Sequence, residues 1–317
     1  MSDQPPRSDD LNEIMRRLER EFQQREHASI PDELEQRERP SLEAPHPVPG
    51  VATPMPPQGR SVRIALPTSR PRIVYGILAL NVVMLLVTML VQQRVHLPFT
   101  DQFLRADQSG DDTFSVALYI LGAKWSPAIV GGQYWRLLTP MILHGGLIHL
   151  LFNSYALYIL GPQVERVFGT WRFLVIYLIA GFAGNIASFV IAPSSLAIGA
   201  SGAIFGLIGA LAAWSYAARD FIGRQASQAQ LRQLIGVAVF NLILGFTIAN
   251  IDNSAHIGGL LAGGLAGLAL APHYAVDQRL YPPVVQTTGR GAIGWVSMLG
   301  LLLLLVAIAG FTIRVRA

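Results

Sequence analysis

From about residue 73 onward, apolar positions run continuously rather than alternating, in stretches near 73–92, 143–162, 172–192, 201–217, 233–250, 255–271 and 293–313. A hydrocarbon core about 30 Å thick is crossed by about 20 residues of α-helix. Backbone groups in lipid must bond within their own segment, and the runs lack the period-two alternation of a strand, so a sheet does not compete. The pattern predicts an all-α membrane protein with seven spans. Ahead of them, Leu11, Ile14, Leu18 and Phe22 recur at helical spacing, and Asp10 with Glu13 resembles a helix-start signal. A short amphipathic helix is expected there. It reads as a solvated or self-docking tail rather than a membrane-surface or partner helix, because its charges are of mixed sign. Prolines accumulate from Pro40 to Pro71 without periodicity, as in an extended linker. The expected organisation is a tail over 1–70, a six-helix domain over 71–272, and a loop with a seventh helix over 273–317.

Composition sharpens this division. Charged residues make up 14% of the chain, against about 25% in soluble domains, and 12 of the 20 acidic residues precede Pro45. The absence of cysteine excludes disulfides, thiolate metal sites and a cysteine nucleophile. The basic residues cluster at the ends of apolar segments, where orientation in a membrane explains them and nucleic-acid binding is not needed. No secretory signal is visible in the first thirty residues, so the amino end is expected in the cytosol and the chain in a cell (inner) membrane as a multi-pass protein. Most arginines then fall inside. Arg94, Arg105, Lys124 and Arg136 fall in one long outer loop, and Arg314 and Arg316 at the outer tail run against the rule. Within that loop the run Phe114 to Ala123 is too short to span. It is expected in the interface, with Trp125, Tyr134 and Trp135 at headgroup depth.

Polar groups inside apolar spans are expensive, and each is a candidate for function. His144, His149 and Asn153 fall in the second stretch, Ser201 opens the fourth and His256 opens the sixth, all at the outer end. His149 and Asn153, four apart, share a helix face, whereas His144 points aside. A helix from Ser201 to Ala217 is only about 25 Å long. It can therefore begin below the surface, with Ser201 at an amino end whose free N–H groups favour negative charge. Gly202 with Gly206, and Gly259 with Gly263, form small-xxx-small patterns that permit close backbone approach. Such a crossing brings His256 beside Ser201. A serine hydroxyl needs a base to attack, and an imidazole with a reference pKa of about 6.5 can serve near neutrality. With an oxyanion hole the pair suffices for acyl transfer.

Blander readings exist for each residue. Ser201 reads equally as a helix cap, His256 as a satisfied interior histidine, and His149 with Asn153 as interhelical hydrogen bonding worth about 0.6 kcal/mol. His144 reads as structural, and a metal site with His149 is disfavoured by the angular mismatch and the lack of nearby carboxylates. Asp252, four residues before His256, is either a third triad member or a solvated loop acid, the latter being the commoner case.

Taken together, Trp135-Arg136, His144-xxxx-His149-xxx-Asn153, Glu165-xxx-Gly169, Gly199-Ala200-Ser201-Gly202-xxx-Gly206 and Ala255-His256-xx-Gly259-xxx-Gly263 resemble the rhomboid intramembrane serine proteases over about residues 73–272. The resemblance implies a six-helix rhomboid-like core, Ser201 as nucleophile and His256 as general base without a required third carboxylate. It implies an oxyanion hole from the His149 ring, the Asn153 amide and the Ser201 backbone N–H. Trp135 and Arg136 would belong to a structured first loop, and Glu165 with Gly169 to a turn on the inner side. Phe205 stands where the family often has tyrosine, so packing against the catalytic histidine is kept and a hydroxyl is lost. The implied substrates are transmembrane segments of proteins in the bilayer, cleaved without cofactor or metal. Two other classes compete: an inactive rhomboid-like protein that binds transmembrane helices, and a transporter with broken helices.

Overall fold

The computed structural model describes residues 70–94, 113–248, 251–277, 284–288 and 291–317. The expected amphipathic helix and Pro-rich linker lie outside the described residues. Ten helices occur among the described residues: α1 (Ile73–Arg94), α2 (Thr113–Ile120), α3 (Ser126–Val130), α4 (Leu147–Phe168), α5 (Thr170–Ile191), α6 (Ser201–Ala217), α7 (Arg219–Ile222), α8 (Arg224–Thr247), α9 (Asn253–Leu270) and α10 (Gly291–Arg316). Two 3-10 turns, Tyr134–Leu137 and Thr139–Ile142, lie between α3 and α4. By length and composition, α1, α5, α8 and α10 can each cross a membrane, and α6 is a shorter apolar helix of 17 residues.

Long helices occupy all seven predicted stretches, with differences at α4, α8, α9 and the segment after α9. α8 runs Arg224–Thr247 where the pattern predicts 233–250. α4 begins at Leu147 rather than 143, because Gly146 has φ 115°, a left-handed conformation that helix cannot propagate through. His144 therefore precedes the helix instead of lying in it. α9 already includes Asn253 and Ser254, which read as loop, because the Asp252 side chain accepts from the Ala255 N–H and caps the helix. Where the sequence read only a loop after α9, His273–Asp277 (β1) pairs antiparallel with Val284–Thr288 (β2). The Trp214 indole donates to the Tyr274 hydroxyl at 3.1 Å, tying β1 to the end of α6.

Backbone contact, more than side-chain bulk, holds α5, α6 and α9 together. A Cβ added at Gly259 or Gly263 would run into the carbonyls of Gly202 or Gly206, well inside van der Waals contact. One at Gly184 would stand 2.7 Å from the Ala255 carbonyl, and one at Gly258 3.0 Å from that of Ala183. Both small-xxx-small patterns thus face each other, and α5 closes against the same seam. Larger side chains, among them Phe173, Ile176, Phe189, Leu207 and Leu211, are fully buried around it. On α8 and α10, by contrast, Phe240, Ile243, Phe246, Leu303 and Phe311 are exposed, a surface that suits lipid rather than water.

Charged groups inside this fold bond to backbone. Glu165, fully buried on α4, accepts from the N–H groups of Arg72, Ile73 and Val74 at 2.9–3.1 Å and from the Thr170 hydroxyl at 3.2 Å. It caps the start of α1, and Gly169 at φ 85° makes the turn into α5 beside it. At the opposite end of α5, Arg316 donates to the carbonyls of Phe189 and Val190 and stacks over the Phe189 ring. A cation at a helix carboxyl end complements the dipole there. It also places the end of α10 beside the end of α5, giving Arg316 a structural use independent of orientation by charge.

Gly259→Ala should lower stability by about 1–3 kcal/mol, the usual cost of overpacking. Gly236→Ala, on α8 with nothing within 4 Å of the added carbon, should not. Thermal unfolding in detergent checks both, and equal midpoints would contradict the crossing.

Candidate active site

Three helix beginnings meet at the end of the bundle where α5 finishes. α6 starts at Ser201 and α9 carries His256 in its first turn, and the glycine seam sets them side by side. Ser201 Oγ lies 2.9 Å from His256 Nε2. The Phe205 ring, one turn along α6 from Ser201, stacks on the His256 imidazole with centroids 4.3 Å apart and planes 8° from parallel. That contact holds the plane of the ring. His256 Nδ1 is buried without a hydrogen-bond partner.

His149, in the first turn of α4, accepts from the Gly145 N–H through Nδ1 at 3.1 Å. A neutral imidazole that accepts at Nδ1 carries its hydrogen at Nε2. Gly199 lies against that nitrogen: a Cβ there would stand 2.8 Å from His149 Nε2 and 3.8 Å from Ser201 Oγ. Gly199 also adopts φ 113°, so glycine is needed both for conformation and for space. The structure therefore brings Ser201, His256, His149, Gly199 and Phe205 together. Asn153 is buried one turn beyond His149, but its amide donates back to the His149 carbonyl at 3.0 Å, and its oxygen has no partner. His144 is fully buried, meets His149 edge-on with centroids 5.3 Å apart, and has no hydrogen bond at either ring nitrogen.

The long loop packs beside this cluster. Arg136, buried, donates to the carbonyls of Tyr119 (2.7 Å) and Ala123 (2.9 Å) and to Gln133 Oε1 (2.6 Å), and lies over the Tyr119 ring. It ties the 3-10 turns to α2, and Trp135 beside it is exposed. Both sit in a structured loop as expected.

Sequence reasoning missed two residues. Lys124, read only as one charge of the long outer loop, is fully buried. Its ammonium donates to the carbonyls of Ala192 (2.7 Å) and Ser195 (2.9 Å) and to the Ser195 hydroxyl (3.0 Å), while its backbone pairs with Ala197. It thereby holds the segment that runs from α5 to Ser201. Burial pushes its pKa down to about 8, the nearby Asp252 carboxylate pulling it up and the Arg316 charge pushing it down further. Its one available signal was being the single lysine in the chain. Asp252 is the second. It is neither a solvated acid nor a partner of the His256 ring: one oxygen accepts from the Ala255 N–H at 3.1 Å and the other from the Ser188 hydroxyl.

The chain is thus a helical bundle in which a serine and a histidine at two helix starts lie within hydrogen-bond distance, four of its helices being long and apolar enough to cross a membrane. The sequence model of the Rhomboid domain matches residues 131–273. The chain is 46% identical over 168 residues to the rhomboid protease GluP of Bacillus subtilis (strain 168), a match covering 53% of this chain and 32% of that protein. It is 38% identical over 138 residues to a second rhomboid-family protein of that bacterium, YdcA, covering 43% of this chain and 67% of that protein. It is 39% identical over 157 residues to RHOMBOID-like protein 6, mitochondrial, of Arabidopsis thaliana, covering 49% of this chain and 50% of that protein. The chain belongs to the rhomboid family. It spans about a third of the length of GluP and half that of the Arabidopsis protein.

Gly199→Ala should slow fluorophosphonate labelling of Ser201 by about 10-fold or more, because displacements near 1 Å at a reacting centre have effects of this order. Labelling at the wild-type rate would mean that the Gly199 contact with His149 does not shape the site.

Proposed function

We propose that this chain is an intramembrane serine endopeptidase that cleaves transmembrane segments of other proteins within the bilayer. The observation that carries the reading is the 2.9 Å contact between Ser201 Oγ and His256 Nε2 in a bundle related to named rhomboid proteases. In this reading the Ser201 hydroxyl donates to His256 Nε2, and its proton passes to the imidazole as Oγ attacks a substrate carbonyl. The tetrahedral oxyanion meets the Ser201 backbone N–H at the start of α6 and the His149 Nε2–H, whose direction follows from the Gly145 bond. Asn153 contributes the second N–H of an amide already anchored to the His149 carbonyl. The imidazolium then protonates the leaving amine, and water hydrolyses the acyl-enzyme. Ser201 and His149 are part-exposed and Gly145 is exposed, which supports water reaching the acyl carbon.

The same reading takes α1, α4, α5, α6, α8 and α9 as a six-helix core within 71–272, and α10 as a seventh span within 273–317. Residues 1–70 form a cytosolic tail, with the Ser201 end of the bundle on the outer side and the protein in a cell membrane. Four of these helices have the length and composition of spans, and the arginine distribution supports the orientation.

An inactive helix-binding protein with the same fold is separated by assay of purified protein on a transmembrane reporter. Ser201→Ala and His256→Ala should each abolish cleavage, and the double variant should be no worse than either, since members of a catalytic unit act non-additively. His149→Ala and Asn153→Ala should each lower kcat by about 10²–10³. Cleavage retained by Ser201→Ala, or none by the wild-type chain, would remove the proposal. Deleting residues 1–60, which removes Arg60 but keeps Arg63, Arg70 and Arg72, should preserve turnover in detergent. Lost turnover with intact folding would show that the tail takes part in catalysis.

A further inference from the structure

His256 lacks the device that usually orients a catalytic imidazole. No group bonds its Nδ1, which is buried, so no carboxylate fixes the tautomer or the ring from behind. Phe205 holds the ring plane, but a stacked ring can slide over its neighbour. The position of Nε2 along that plane must come from the backbone that carries it, the first turn of α9. Asn253 bonds that turn to α8 through the Leu242 carbonyl at 3.0 Å, and Asp252 both caps it and bonds it to α5. Asp252 accepts from the Ala255 N–H through one carboxylate oxygen, and its own carbonyl accepts from the His256 N–H at 3.2 Å. Its second oxygen accepts from the hydroxyl of Ser188, fully buried on α5. The Ser188 carbonyl in turn receives the Lys124 ammonium at 3.5 Å, so the same cation holds the segment leading to Ser201 and the residue that anchors Asp252.

We propose that Asp252 is a positioning residue for the general base: by bonding the first turn of α9 on one side and Ser188 of α5 on the other, it sets His256 Nε2 at reacting distance from Ser201. The proposal rests on the serine protease reading. It assigns Asp252 a role through backbone placement rather than through contact with the imidazole. Two hydrogen bonds carry that role, and a neutral amide can make both, its oxygen accepting from the Ala255 N–H and its NH2 donating to the Ser188 hydroxyl oxygen. Asp252→Asn should therefore work where Asp252→Ala does not.

The test uses the purified full-length chain in detergent, well below its unfolding midpoint. A fluorophosphonate probe gives the fraction of labelled Ser201 and the rate constant per labelled site, and a transmembrane reporter gives kcat and KM. A residue needed only for folding would reduce the labelled fraction and leave the rate constant per site unchanged. Asp252→Ala is expected to lower that rate constant and kcat by about 10-fold or more, with KM within about two-fold, as displacement of a catalytic group does. Asp252→Asn is expected to restore both to within about three-fold of wild type, since it keeps the bonds that position the turn. Where Asp252→Ala fails to fold, Ser188→Ala carries the test, since it removes one anchor and leaves the cap. It too should slow labelling per site. A wild-type rate constant in either alanine variant overturns the proposal, as does an Asn variant no better than the Ala variant, which would make the charge itself essential. A wild-type chain that neither labels nor cleaves would instead overturn the protease reading.

Discussion

Everything at the site depends on carbonyl oxygens packing where side chains are missing. α6 and α9 approach so closely that Gly259 and Gly263 lie on the carbonyls of Gly202 and Gly206, with no room for a methyl group. In lipid, apolar side chains gain nothing by leaving one apolar medium for another, so helix association rests on close van der Waals contact and on bonds between polar groups. Glycine seams maximise the first. They also fix the register of two helices with little freedom, because backbone atoms cannot change rotamer. Ser201 and Gly202 are adjacent, and His256 is one turn before Gly259, so the seam that holds the bundle also bears on the distance between Ser201 and His256.

The second constraint is the satisfaction of charge. Buried charged groups are costly unless they are bonded, and here they bond to helix ends. Glu165 takes three N–H groups at the start of α1 and Lys124 takes carbonyls at and beyond the end of α5, while the exposed Arg316 takes two more there. Among the described residues the one salt bridge, Arg224 with Asp220, is exposed and bridges neighbouring turns, so it adds little to stability. Ser201 and His256 likewise sit at helix termini. A site built in this way gains precision from the same bonds that make the termini tolerable in a membrane.

The parts of this architecture that were legible in the sequence are those that lipid dictates. Apolar runs near 20 residues long mark helices because the thickness of the bilayer allows few alternatives. The glycine spacing marked the seam, and the occurrence of Ser201, His149 and His256 at one depth pointed to the cluster that the helix starts bring together. Phe205 against His256 followed from the family resemblance alone. The unreadable parts have partners without a sequence signature. Lys124 and Arg316 bond to carbonyls, which every residue carries, and Asp252 bonds to Ser188, 64 positions away. The start of α4 was misplaced because hydropathy does not register backbone conformation. Gly145-Gly146 is the one sequence sign that the helix begins after His144, and an otherwise apolar run hides it.

The central claim is that Ser201 is made nucleophilic by His256. It is tested most directly by mass spectrometry of the purified chain after exposure to a fluorophosphonate in detergent at neutral pH. The account predicts a single covalent adduct, on the peptide containing Ser201, that does not form when His256 is replaced by alanine in a folded chain. An adduct on a different serine, or an undiminished Ser201 adduct in the His256→Ala chain, would contradict it.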